Sequence, residues 1–169
     1  MSNVLIGIIG VILFIGLALA GALFLGPRFQ ESTNNSRASA VIQRIAQTAN
    51  AANMHDTLEG SRIPGDTAGI TMLVSKGYMK SPPPTDTTVN RIIPINASGG
   101  VTGDPAYIIA DLSGDNARAV CEAIERQSGG TADGVGATPT EWPNKTRRQQ
   151  GCYYNGPVGS GAFLAYVRI

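Results

Sequence analysis

The stretch Val4–Leu25, VLIGIIGVILFIGLALAGALFL, carries no charged residue. As a helix rising 1.5 Å per residue it reaches roughly 30 Å, the hydrocarbon thickness of a bilayer. The chain that follows is far more polar. Three readings compete for such a stretch. A secretory signal peptide finds a small-x-small site at Ala18-Leu19-Ala20, but Met1-Ser2-Asn3 supplies no Lys or Arg for an n-region and the apolar run continues past the cut. The second reading is a single-pass membrane anchor. The third is a helix that begins in the membrane and ends in the core of a protein filament.

Glycine helps choose among them. Gly7, Gly10, Gly16, Gly21 and Gly26 interrupt the run. Each costs about 1 kcal/mol relative to alanine inside a helix, yet lets helices approach closely. Membrane helices do carry more glycine than soluble ones, but an anchor facing only lipid gains nothing from so many. Pro27 lacks a backbone donor and disfavours helix at the residue before it. A kink or an unwound turn is therefore expected between Gly21 and Pro27.

The rest of the 169 residues suffices for one ordinary domain. A net charge of +1 with both signs mixed argues against a dedicated nucleic-acid surface. Charged residues are sparse at 15%, which suggests surface covered in an assembly. Two cysteines, Cys121 and Cys152, occur in a chain marked for export, where a pair reads as a disulfide rather than a redox site. On the chain-entropy model that bond contributes roughly 3 kcal/mol.

After Pro27 the apolar residues Ala38, Val41, Ile42, Ile45, Ala46, Ala49 and Ala52 recur at helical spacing. The spacing predicts one helix from about Ser2 to about Leu58, ended by Glu59-Gly60 and Ile63-Pro64-Gly65. A head of about a hundred residues cannot bury a helix of this length. Asp66, read as an N-cap, opens a short helix through Val74, and Gly77 suits its left-handed end. Pro82-Pro83-Pro84 forces an extended connector. Thr87–Ile95 is β-prone, with Pro94 confining it to an edge. Ala106–Leu112 is a second strand, and Ala117–Gln127 a helix with Glu122, Glu125 and Arg126 outward. Cys152–Tyr154 and Ala162–Val167 read as antiparallel neighbours around a turn at Asn155-Gly156-Pro157.

Candidate chemistry is thin. His55, the only histidine, has Asp56 beside it, but no motif places a nucleophile there, so it reads as a solvated residue near the helix end. Two cysteines without a CxxC spacing make a weak zinc case. Glu122 and Glu125 read as a solvated face. Trp142, Lys145, Arg147 and Arg148 cluster in the unpatterned, glycine-rich stretch 128–150. They form a candidate recognition patch for DNA, anionic glycans or a neighbouring subunit, to be weighed against an exposed loop with ordinary charges. No enzyme constellation emerges.

The apolar Val4–Leu25 segment, the Gly26-Pro27 weak point, the Leu73-Val74-Ser75-Lys76-Gly77-Tyr78 stretch after the long helix and the Cys121…Cys152 pair before a terminal strand together resemble a type IV pilin, closest to the type IVb class. The resemblance implies an α+β fold, a long N-terminal helix packed on a small antiparallel sheet. It divides the chain into residues 1–27, a transmembrane and filament-core helix, and residues 28–169, an amphipathic helix plus globular head. It implies a structural subunit of an extracellular filament, held in the inner membrane before assembly. Val4, Leu5, Ile8, Ile9, Val11, Ile12, Phe14, Ile15, Leu19 and Leu23 would pack the filament core. Gly16, Gly21, Gly26 and Pro27 would allow bending or local melting, and Met1 is the candidate site of N-terminal processing. The implied partners are copies of itself and the inner-membrane assembly machinery, with a host surface, phage or DNA beyond them; no cofactor and no small-molecule substrate are expected.

The chain departs from the family at Leu5, where most members carry a glutamate thought to pair with a neighbour's N-terminal amine. Losing that carboxylate removes a costly buried charge together with a device for register. Assembly then rests on helix packing and glycine contacts. Two alternatives stay open: a minor pilin or pseudopilin of a secretion or DNA-uptake system, and a monomeric membrane-anchored domain binding a ligand through the Trp142 loop.

Overall fold

The computed structural model describes residues 2–96, 105–130, 148–155 and 162–169. Seven elements follow one another: α1 (Ser2–Glu59), α2 (Asp66–Ser75), β1 (Val89–Asn96), β2 (Pro105–Leu112), α3 (Ala117–Gln127), β3 (Gln150–Asn155) and β4 (Ala162–Arg168). The α+β class is as expected. The chain divides into two compact units, Met1–Asn34 and Asn35–Ile169. The division falls beyond Pro27, at the point where α1 first meets the rest of the head. There the Gln127 amide donates to the Asn35 carbonyl at 3.1 Å.

Within the second unit, the alanine-rich stripe of α1 does what its spacing predicts. Ala38, Val41, Ile45, Ala49 and Ala52 are buried, with Ile42 and Ala46 half-buried beside them. Thr48 lies on the same face and donates its hydroxyl to the Arg44 carbonyl at 3.0 Å, so its burial leaves no orphan. Small side chains bring the helix close to the sheet. The core it joins contains Val89 and Ile92 of β1, Ile108, Ala110 and Leu112 of β2, Ala165 of β4, and Val120, Cys121 and Ile124 of α3.

The sheet has four strands in the order β1-β2-β4-β3, every pair antiparallel. Alternation assigns its faces. Ile92↔Ala110 and Ala110↔Ala165 share the face toward the helices, and Ile93↔Ile109 and Ile109↔Tyr166 share the other. The second face is also buried. Ile93, Ile95, Tyr107, Ile109, Leu164 and Tyr166 form a separate cluster there, with Tyr107 and Tyr166 edge-to-face at 6.0 Å. Tyr153 packs against it, and burial, then the charges of Asp111 and Tyr166, hold its phenol well above the ordinary value.

Two local expectations change. α1 stays helical across Gly26-Pro27, so the unwound turn expected there is not formed; the backbone absorbs the loss of a single donor. Asp66 does not cap α2. It is the first helical residue, at φ 64°, and Gly65 stands at the N-cap with no side-chain bond. The end of α2 is as read: Gly77 has φ 83° and donates to the Val74 carbonyl. Gly69 explains how α2 sits against the β1 edge. A Cβ there would overlap the Pro64 carbonyl oxygen and crowd the Pro94 ring.

One ion pair joins α1 to the entrance of β1. The Arg44 guanidinium lies 2.7 Å from an Asp86 carboxylate oxygen. The other carboxylate oxygen accepts the Thr88 and Val89 N–H groups at 2.8 and 3.1 Å. Burial pushes the Asp86 carboxyl up, but the Arg44 bond and the two backbone donors outweigh it, and it rests below its ordinary value of 3.8. Folded Asp86 therefore binds its proton less readily than unfolded Asp86. Its contribution is complete above the ordinary carboxylate range and is lost as pH falls through the folded value.

Two predictions follow from this packing. Gly69→Ala should lower the thermal midpoint of the head by several degrees, the effect of roughly 1–3 kcal/mol of overpacking, read by circular dichroism of the full chain in micelles. Between about pH 5 and pH 2 the wild-type chain should lose more stability than Asp86→Asn, because only the wild type carries this titration. Parallel curves in denaturant titrations at each pH would contradict it.

Candidate functional site

Among the described residues, the first half of α1 carries most of the exposed large apolar side chains. Val4, Leu5, Ile8, Ile9, Val11, Ile12, Phe14, Ile15 and Leu19 are between 50% and 73% exposed. The 19-residue stretch Val4–Ala22 is long and apolar enough to cross a membrane, and none of it is buried within the chain. At Gly7, Gly10, Gly16 and Gly21 an added Cβ would meet nothing within 4 Å. Exposed apolar surface on this scale belongs in lipid or against other chains. The side chains of Met1, Leu23, Gly26 and Pro27 lie outside the described residues.

The second site is the junction of α3 with β3. Cys121 and Cys152 are bonded, with Cα atoms 5.4 Å apart, as read from their number and context. Glu125, expected on the outer face of α3, is instead only 7% exposed. Its carboxylate accepts the Cys152 N–H at 2.6 Å and pairs with the Arg148 guanidinium at 2.9 Å. A carboxylate can be buried here because both its oxygens are occupied, one by a cation. Room comes from the absence of a side chain at Gly151, where a Cβ would lie 2.6 Å from Glu125 Oε1 and 2.8 Å from the Tyr166 hydroxyl. Gly130 donates to the Glu125 carbonyl at 2.7 Å. The residues on either side of 131–147, Gly130 and Arg148, are thus both held by Glu125.

A polar knot closes the end of α1. Glu59 accepts Lys76 Nζ at 2.7 Å and the Tyr78 hydroxyl at 3.2 Å. Lys76, then Tyr78, hold the Glu59 carboxyl below its ordinary value, while burial and the Glu59 bond push the Tyr78 phenol up. His55 is not the solvated residue the sequence suggested. It is 1% exposed and stands edge-on to the Tyr78 ring at 5.2 Å. Among the described residues neither ring nitrogen has a hydrogen-bond partner, and Nδ1 lies 3.6 Å from Asp56 Oδ1. The ring packs as an aromatic against Tyr78.

An apolar groove of about 420 Å³ runs between α2, the Pro82-Pro83 connector and β1, with Arg91 as its only charged wall. Arg91 also pairs with Asp111. Among the described residues no cluster of three metal-ligating side chains occurs. Of the proposed recognition patch, Trp142, Lys145 and Arg147 lie outside the described residues, and Arg148 is engaged by Glu125.

Glu125 is the residue that sequence reasoning missed. The signal was present in its spacing: four positions after Cys121, it shares the helix face that carries the disulfide. No family model, curated protein or solved structure matches the chain.

The unpartnered nitrogens of His55 make a direct prediction. His55→Leu should leave head stability unchanged or raise it by about 1 kcal/mol, since it removes a buried polar group that forms no hydrogen bond. A clear loss in chemical denaturation would show that the imidazole holds a partner.

Proposed function

We propose that the chain is a structural subunit, a pilin of the type IV kind, whose apolar helix first sits in the inner membrane and then packs among copies of itself in an extracellular filament. The observation that carries this reading is the 19-residue Val4–Ala22 stretch, wholly uncovered within its own chain yet continuous with the helix whose later half seats the head. A membrane explains the exposure. The glycines speak for helix neighbours in addition to lipid, since close approach is what glycine provides. Leu5 and the absence of any carboxylate from Val4 to Ala22 leave such an assembly to shape and dispersion, without a buried ion pair to set register. In this role the protein performs no catalysis.

A membrane-anchored monomer that binds a ligand on its head is the second reading. The groove beside Arg91 favours it, being mostly apolar and within the size range of small-molecule sites.

The test is electron microscopy of material sheared from cells producing the chain, paired with mass spectrometry of the subunit. Thin filaments of this chain are expected. Gly10→Ile should abolish them while membrane insertion stays intact, because the added side chain meets nothing in the single chain. If wild-type cells yield no filament and the protein stays monomeric in the membrane fraction, the anchored monomer replaces the pilin.

A further inference from the structure

We propose that Glu125 is a positioning residue for disulfide formation: its carboxylate holds the Cys152 backbone against α3 so that the two thiols already face one another before they are oxidised. The inference does not depend on what the chain assembles into.

Cys121 and Glu125 are one helical turn apart on α3, so their side chains emerge one above the other. Both reach the same residue of β3, Cys121 through its sulfur and Glu125 through the backbone N–H at 2.6 Å. Cys152 is thus held twice from one helix face, once covalently and once by a charge-assisted hydrogen bond. Only the second hold exists in the dithiol form. It is also well protected, since Glu125 and Cys152 are 7% and 4% exposed and Cys121 is fully buried. Arg148 supplies the countercharge at 2.9 Å.

Geometry and composition add two supports. Gly151 lacks the Cβ that would collide with this carboxylate, so β3 can lie close enough for the bond. The alternation of β3 then turns the Cys152 side chain toward the helices, in register with Ala165 on that face. A thiol on a freely moving strand would instead depend on closing a loop across 31 positions of sequence.

The chemistry is ordinary thiol–disulfide exchange with an external disulfide as oxidant. One protein thiolate attacks the oxidant's disulfide and releases one thiol. The second protein thiolate then displaces the other half from the mixed disulfide. The chain loses two hydrogens, and the oxidant becomes two thiols. Glu125 takes no proton and forms no bond to sulfur; it raises the effective concentration of one cysteine at the other.

The test uses the full chain in detergent micelles, equilibrated in mixtures of reduced and oxidised dithiothreitol, quenched with acid and counted by mass spectrometry after alkylation. Glu125→Ala should shift the dithiol–disulfide equilibrium toward the dithiol by about tenfold, because the freed Cys152 backbone must then be ordered as the bond closes, an ordering the hydrogen bond supplies beforehand in the wild type. Ile45→Val, on α1, weakens the shared core without removing a hydrogen bond to Cys152 and should leave the equilibrium unchanged, because both redox forms of the head are folded. The proposal is overturned if Glu125→Ala matches the wild type. It is equally overturned if Ile45→Val shifts the equilibrium as far, since the dithiol head would then be unfolded and hold no prepositioned pair.

Discussion

The seating of α1 on one face of the sheet is the contact on which the rest of the head depends. Ala38, Val41, Ile45, Ala49 and Ala52 present a shallow surface, and a shallow surface allows close approach. Strands β1, β2 and β4 place Val89, Ile92, Ile108, Ala110, Leu112 and Ala165 in the same core, and α3 adds Val120 and Ile124. Ala49, Ala52, Ala110 and Ala165 all lie in this core, so an added methyl at any of them finds little free volume. The Arg44–Asp86 pair and the Glu59–Lys76–Tyr78 knot then tie the middle and the end of this stretch of α1 to neighbouring segments. Neither pair is deeply buried, so they act as register marks on a contact that dispersion and dehydration hold together.

Elements with a strong local period could be read from the residues. The helical recurrence after Pro27 and the Asp66–Ser75 helix match a repeat of 3.6, while the strands about Ile92 and Ile108 and the terminal antiparallel pair were read from β-prone runs bounded by turn residues. The pairing of β2 with β4 had no such signal. It joins Ile109 to Tyr166 across α3 and β3, and nothing local records a contact so distant in sequence. The burial of the second sheet face escaped notice for a related reason. Ile93, Ile95, Tyr107 and Ile109 alternate with Ile92, Pro94, Ile108 and Ala110, so both faces of β1 and β2 are apolar and no amphipathic contrast remains to interpret.

Charged and polar residues were harder for a different physical reason. A glutamate on a helix is ordinarily outward, and only a countercharge makes burial tolerable. For Glu125 that countercharge, Arg148, lies beyond an unpatterned stretch, so the sequence separates what the fold unites. His55 gave no clue because its partner is a ring face: the edge-on contact with Tyr78 satisfies packing and leaves the nitrogens bare. The disulfide was legible from count and compartment alone, but the carboxylate that shares Cys152 with it was not.

Strand β1 stands at the margin of the sheet, with Pro94 in its middle, a register irregularity between Val89 and Arg91, and α2 alongside. Proline denies a neighbouring backbone one of the donors it would need, and the irregularity interrupts the even ladder that strand addition requires. Chains concentrated by a shared apolar helix face a particular hazard, because high local density promotes edge-to-edge zippering of their sheets into amyloid-like stacks. A blunted β1 margin keeps that route closed on its side of the sheet. Were chains to gather as the proposed filament requires, their heads would do so without fusing along that strand.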